Sequence, residues 1–324
     1  MKVRLGYVAI SMRLGKKVTS SSSLTFKNYN KLNNKDERLN KLKAVALSNL
    51  NDLEKILKYN VENNIHFYRI TSALIPLVTH PDVGYWGHRE IFKKDFEYIG
   101  RIINENNMRV DVHPDEFNVL NSTNPRVVAN TKLNLICQTE WFDDMNYKEG
   151  KMVLHIGGAT GGKEAGLQRF INNFSEYPQE ITSRLIIEND DKTYTAKEVL
   201  NLCENLHIPM VLDVHHHNCN NNGEKVEELL EKVFNTWNKE KLPPKLHFSS
   251  PREYENDRKH ADYINAHDFV NFIESARVLE RDFDVMLECK EKDNALYKLV
   301  EDIKIIRPDY EWIDESTLLV KNNQ

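Results

Sequence analysis

No apolar run in this 324-residue chain approaches the roughly 18 residues needed to cross a bilayer. The first ten residues, MKVRLGYVAI, lack the apolar core of a secretion signal and read as a strand. Cysteine is scarce: Cys137, Cys203, Cys219 and Cys289 stand far apart with no CxxC pair, which suits free thiols in a reducing cytoplasm. Glycine and proline are few, at 12 and 10, and 40% hydrophobic with 29% charged residues describes an ordinary soluble globular chain. Positive charge is not in excess. A net charge of -5 argues against a passive, charge-driven nucleic-acid binder. Cations held by carboxylates would weaken that objection, so composition leaves nucleic acid open. No GxGxxG follows the first strand. The loop GGATGGK (157–163) departs from the Walker A pattern; it is either a flexible connection or a place where a sugar-phosphate backbone comes close.

What is present is a repeating alternation. Short apolar strands are expected over 3–8, 65–70, 108–112, 151–154, 185–187, 210–212, 245–248 and 283–287. Between them lie helical patterns such as Leu39, Leu42, Ala46, Leu50, Leu53 and Leu57, spaced by threes and fours. Asn124 before Pro125 marks a helix start. Eight such units predict an α/β fold, a closed (β/α)8 TIM barrel over 1–306, followed by a polar C-terminal tail over 307–324. Residues 13–34, rich in Ser, Lys and Asn, read as either an active-site loop or an unstructured connection.

The chemistry sits at the strand ends. PMVLDVHHH (209–217) runs from an apolar strand into Asp213, His215, His216 and His217, a donor set suited to Zn, Mn, Fe or Co. The other strand exits carry Tyr7, Arg69, His113, His155, Glu188, His247 and Glu288. Any one alone has a bland explanation. Together they carry weight, because six of the twelve histidines fall at these exits. His260 lies in a loop expected over the barrel mouth. So many imidazoles and carboxylates exceed the donors one catalytic ion uses, and two or three ions point to phosphoryl-ester hydrolysis.

The ordered motifs LGYVAIS, ITSALIPLVTHP, VHPDEFNVLNS, LHIGGATGGK, IENDDKTY, VLDVHHH, KLHFSSP, KHADYI and VMLECKEKDNAL span most of the chain. As a set they resemble the UV damage endonucleases (UvsE/UVDE family). The resemblance implies an endonuclease IV-like barrel that nicks UV-damaged double-stranded DNA immediately 5′ to photoproducts, cyclobutane dimers and 6-4 photoproducts, using divalent ions, chiefly manganese. It implies His113, His155, Glu188, Asp213, His216, His247, His260 and Glu288 as ligands, singling out His216 from the triple. It implies Lys245 as a site lysine that the family can carry carboxylated, with Glu188 and His247 beside it in the catalytic set. Tyr7, Glu116 and Phe117 fall at its lesion-probing positions, and Arg69, Lys163 and Lys290 are expected at phosphates. Glu116 departs from the family, which carries Gln before Tyr or Phe there. Phe117 keeps an aromatic wedge. The competing expectations are a sugar isomerase or epimerase, an AP endonuclease on the same barrel, and a non-catalytic damage binder. No membrane and no obligate protein partner is expected.

Overall fold

Side chains alternate between two faces along every strand, and this alternation organises the molecule. The computed structural model describes residues 1–321. Its strands are β1 (Lys2–Val8), β2 (Phe67–Ile70), β3 (Arg109–Val112), β4 (Lys151–His155), β5 (Leu185–Glu188), β6 (Met210–Asp213), β7 (Lys245–Phe248), β8 (Phe283–Leu287), β9 (Glu311–Trp312) and β10 (Thr317–Leu319). β1 to β8 are parallel neighbours in sequence order, and β1 pairs with both β8 and β2, which closes the ring. This is the expected TIM barrel, with helices between the strands. The helices begin where local chemistry says they should. Asn34 caps Lys35–Glu62, Asn124 caps Pro125–Asp144, and Thr195 with Glu198 forms a capping box on Ala196–Leu206.

Outward side chains such as Val3, Leu5, Tyr68, Val110, Leu212 and Val285 join the main core beneath the helices. Inward side chains stack in layers. At the floor, Arg4 donates twice to Asp284, both at 2.6 Å, and Arg109 Nη1 donates to the same carboxylate at 2.7 Å. Above it, Val153, Ile186 and Val211 pack with Trp237, while Val8, Phe67 and Met286 form a second apolar group. Gly6 belongs to this interior: a Cβ there would stand 2.5 Å from the Phe67 carbonyl oxygen. The top layer carries the ionisable residues of the strand exits.

Residues 307–321 differ from the polar tail expected for them. β10 pairs antiparallel with the lower half of β1, matching Lys2 to Leu319 and Arg4 to Thr317, and β9 pairs with β10. The reason lies in strand length. β2 is four residues long and covers only Gly6–Val8 of β1, so β10 takes the edge left bare below, burying Leu318 and Val320. The loop over 13–34 contains one short helix, Phe26–Asn30, capped by Thr25. It is tied down by Asn49, which accepts from the Ser22 amide and donates to the Ser22 carbonyl.

Candidate metal centre

Parity brings one set of strand-end residues inward. His113 follows β3, His155 ends β4, Glu188 ends β5, Asp213 ends β6, His247 sits in β7 and Glu288 follows β8. His216 joins from a short helix, Val214–Cys219, whose N-cap is Asp213; the Asp213 carboxylate accepts from the His216 amide at 2.7 Å. These residues form three overlapping donor groups: His113, His155 and Glu188; Glu188, Asp213 and His216; Glu188, His247 and Glu288. Within each, the donor atoms lie within 4.8 Å of one another. Glu188 is common to all three. Its Oε2 stands 3.2 Å from His113 Nε2 and 3.7 Å from His155 Nε2, while Oε1 stands 3.4 Å from His216 Nδ1 and 2.8 Å from His247 Nδ1. His260 stands at the edge, its Nδ1 3.9 Å from Glu288.

Neighbouring carbonyls orient the imidazoles. The Pro114 carbonyl lies 2.9 Å from His113 Nδ1, which turns Nε2 toward Glu188, and the Asn189 carbonyl lies 3.0 Å from His216 Nδ1. The Asn189 side-chain amide in turn donates to the Asp213 carbonyl and accepts from the Asp213 backbone amide, locking the ends of β5 and β6 together. Burial opposes the charge of Glu188, but His247 and His155, with hydrogen bonds from His113 and His216, hold it well below the usual carboxylate range. Burial pushes the Asp213 carboxyl up to about 7 against the pull of His216, and Glu188 and Glu288 push the same way. His216 is buried too, yet Asp213 and Glu188 raise it to about 11. Burial lowers His247 to about 4, with Lys245 and Arg69 contributing.

The His113, His155 and Glu188 group fits a divalent cation as it stands, and the Glu188, Asp213 and His216 group does so once His216 gives up its ring proton. Among the described residues Asp213 Oδ2 is buried with no hydrogen-bond partner, and a carboxylate oxygen left in that condition is costly unless a cation meets it. The third group differs. Arg69 Nη2 lies 2.7 Å from His247 Nε2, and because a guanidinium only donates, the ring proton of neutral His247 sits on Nδ1, facing Glu188. An ion at Nδ1 therefore requires the other tautomer and a shift of Arg69.

Several expected DNA contacts lie elsewhere. Tyr7 is fully buried and donates to Asn60 at 2.6 Å; it shares the outward parity of Val3 and Leu5 and faces the helix layer, not the mouth. Arg69, expected at phosphates, is 9% exposed and bonded to Glu288 at 2.6 Å as well as to His247. It is an internal counter-ion. Lys163 pairs with Glu198 at 2.8 Å, and Lys290 is exposed. Lys245 lies below the ligands, fully buried and donating to Asp111 at 2.5 Å; burial lowers it to about 8. Glu116 and Phe117 are exposed at the mouth, and Phe117, 62% exposed, borders a cleft of about 360 Å³ that includes Ser72, Ile75, Pro76 and Asn134. His217 is structural, its Nε2 2.9 Å from the Glu224 carbonyl. Asp111 and Asn189 were not singled out from the sequence. Strand parity would have flagged Asp111, which stands two residues before His113.

Comparison with known proteins agrees with this architecture. The model of the UV-endonuclease UvdE family matches residues 3–315. The UV DNA damage endonuclease of Bacillus cereus is 36% identical over 308 residues, 95% of this chain and 96% of that one. That of Halalkalibacterium halodurans is 37% identical over 305 residues, 94% of each. The crystal structure of SacUVDE superposes with a TM-score of 0.82 at 33% identity, covering 94% of this chain and 99% of its own. Endonuclease IV from Thermus thermophilus, at 13% identity and a TM-score of 0.52 over 79% of this chain and 93% of its own, shares the fold. L-ribulose 3-epimerase does so too, at 14% and 0.54 over 82% and 84%. A cluster of inward-facing imidazoles and carboxylates that could hold metal ions and a match along nearly the whole chain lead to one conclusion: this protein belongs to the UV-endonuclease UvdE family of DNA repair endonucleases.

Proposed function

We propose that the protein hydrolyses the phosphodiester bond immediately 5′ to UV photoproducts in double-stranded DNA, using two or three divalent ions, chiefly manganese. The observation that carries this reading is Glu188, one buried carboxylate shared by three donor groups. A shared carboxylate brings ions close together, the arrangement that suits in-line displacement at phosphorus. His113, His155, Glu188, Asp213, His216, His247 and Glu288 would hold the ions, with His260 closing the edge. When bound, the ions supply Lewis-acid charge to the phosphodiester. The protein supplies the rest. Asn189 and Pro114 aim the imidazoles, Arg69 balances Glu288, and Lys245 with Asp111 forms a charged support beneath the ligands. Phe117, exposed beside a cleft of about 360 Å³, would fill the gap left by unstacked bases.

The test is a plasmid assay. UV-irradiated supercoiled DNA should be nicked with Mn²⁺, and EDTA should stop the reaction. Intact irradiated plasmid after incubation with folded, Mn²⁺-loaded protein would refute the reading. Nicking of depurinated but not irradiated DNA would reassign the substrate to abasic sites.

A further inference from the structure

Between β1 and the helix Lys35–Glu62 the chain carries Arg13, Lys16, Lys17, Lys27 and Lys31 and no Asp or Glu, in a protein whose net charge is -5. The other strand exits differ. The loops after β5, β6, β7 and β8 mix both signs, those after β2 and β3 hold acids alone, and the one after β4 is uncharged up to Lys163. Uncharged groups hold the cationic loop in place. The Ser11 hydroxyl and the Met12 amide meet Asp293, the Thr19 amide donates to Asp52 at 3.2 Å, and Asn49 bridges Ser22 to the Leu74 carbonyl, donating to the latter at 3.0 Å. Leu14 and Val18 pack against the core on either side of a tight turn. There Gly15 has φ of +80° and its carbonyl accepts from the Val18 amide at 3.1 Å, which leaves Lys16 and Lys17 exposed at the tip. Further on, Ser23 and Leu24 line the same cleft as Phe117. The Phe26 ring stacks on His80 of that cleft, centroids 4.0 Å apart, with Lys27 exposed beside it. An unpaired surface lysine is ordinary. A group of them with no acid between, on a loop fixed to the edge of the site, is not.

We propose that the loop after β1 is a backbone-binding loop: Lys16, Lys17 and Lys27 contact phosphates of duplex DNA where it runs past the cleft beside Phe117. The role rests on the reading of the protein as a DNA endonuclease. Strand-exit loops form the active face of such a barrel, and this one alone brings net positive charge to it. The need for that charge is plain. Asp115 and Glu116 face the same substrate as anions, while Arg69 and Lys163 are already paired with Glu288 and Glu198. Arg13 is engaged as well, lying over the Tyr297 ring at 3.8 Å. Because the loop is pinned along its length, DNA binding would order only lysine side chains, which keeps the entropic cost small.

Three triple variants separate a phosphate surface from net charge. The first is Lys16→Gln with Lys17→Gln and Lys27→Gln. The second replaces the same three lysines by Arg. The third, Lys232→Gln with Lys239→Gln and Lys304→Gln, removes equal charge from exposed positions toward the barrel floor, where the helices end. Binding to an irradiated and to an undamaged duplex is measured with EDTA over a range of salt, beside Mn²⁺ binding without DNA. The first variant should weaken binding to both duplexes alike and lower the slope of log Kd against log salt by about two to three, with Mn²⁺ binding unchanged. The Arg variant should keep the parental slope, and so should the floor variant. A parental slope in the first variant overturns the assignment, and so does an equal fall in the floor variant, which would reduce the effect to net charge. If the parent fails to nick irradiated plasmid while the slope still falls in the first variant alone, the endonuclease reading is wrong and the backbone-binding loop stands.

Discussion

Loading the Asp213–His216 site should release protons in a number that the apo electrostatics set. With its pKa near 7, the Asp213 carboxyl carries ~0.9 proton at pH 6, ~0.5 at pH 7 and ~0.1 at pH 8. His216, raised to about 11, carries one additional proton throughout this range. An ion bound by both side chains displaces all of these, so release should fall from about 1.9 at pH 6 to about 1.5 at pH 7 and about 1.1 at pH 8. The same numbers make Mn²⁺ bind tighter as pH rises, by about 50-fold from pH 6 to 7 and about 20-fold from pH 7 to 8. Titration calorimetry in buffers of different ionisation enthalpy reads the count directly, as the slope of observed heat against buffer heat. A count near zero at pH 8 would show that apo His216 is already neutral there, refuting its raised pKa. A count that does not change between pH 6 and 8 would show that the Asp213 carboxyl is ionised throughout, refuting its upward shift.

Other consequences follow from individual side chains. His216→Ala should abolish incision, whereas His217→Ala should lower stability but keep incision, because the His217 ring is engaged by the Glu224 carbonyl; equal loss of activity would count against this division. Asp284→Asn leaves the Arg109 guanidinium buried at the barrel floor, 1% exposed, with its main counter-charge gone. It should cost about 3–5 kcal/mol in urea denaturation, and an unchanged midpoint would contradict the buried pairing. Phe117→Ala should erase the preference for irradiated over undamaged duplex without altering Mn²⁺ affinity, measured by competition binding. Glu116→Gln should tighten binding to any duplex at low salt, with the gain fading at high salt as screening removes the repulsion.

The barrel was legible because eight apolar strands alternate with eight helical stripes, and the donors because they cluster where those strands stop. What misled was the direction of individual side chains. Tyr7 and Arg69 both stand at strand ends, yet one points out and the other in; the parity of Val3, Leu5 and Tyr7 holds that information, and a reading of strand ends alone misses it. Arg69 and Lys163 read as free cations because their partners, Glu288 and Glu198, are distant in sequence. The final strand was missed for a similar reason: three residues, TLL, make a strand only because β1 offers them an edge.

That last pairing shapes how the chain acquires its structure. β1 finds its barrel neighbour β8 about 280 residues later, and its lower edge is covered only when β10 arrives. The Met1 and Val320 backbones then exchange hydrogen bonds across the join. Contacts of such long range make folding slow, and until they form the first strand presents an open edge. A chain ending at residue 306 would keep the residues proposed to hold the ions and still carry the bare strand, so the terminal segment covers the edge while contributing none of the proposed ligands.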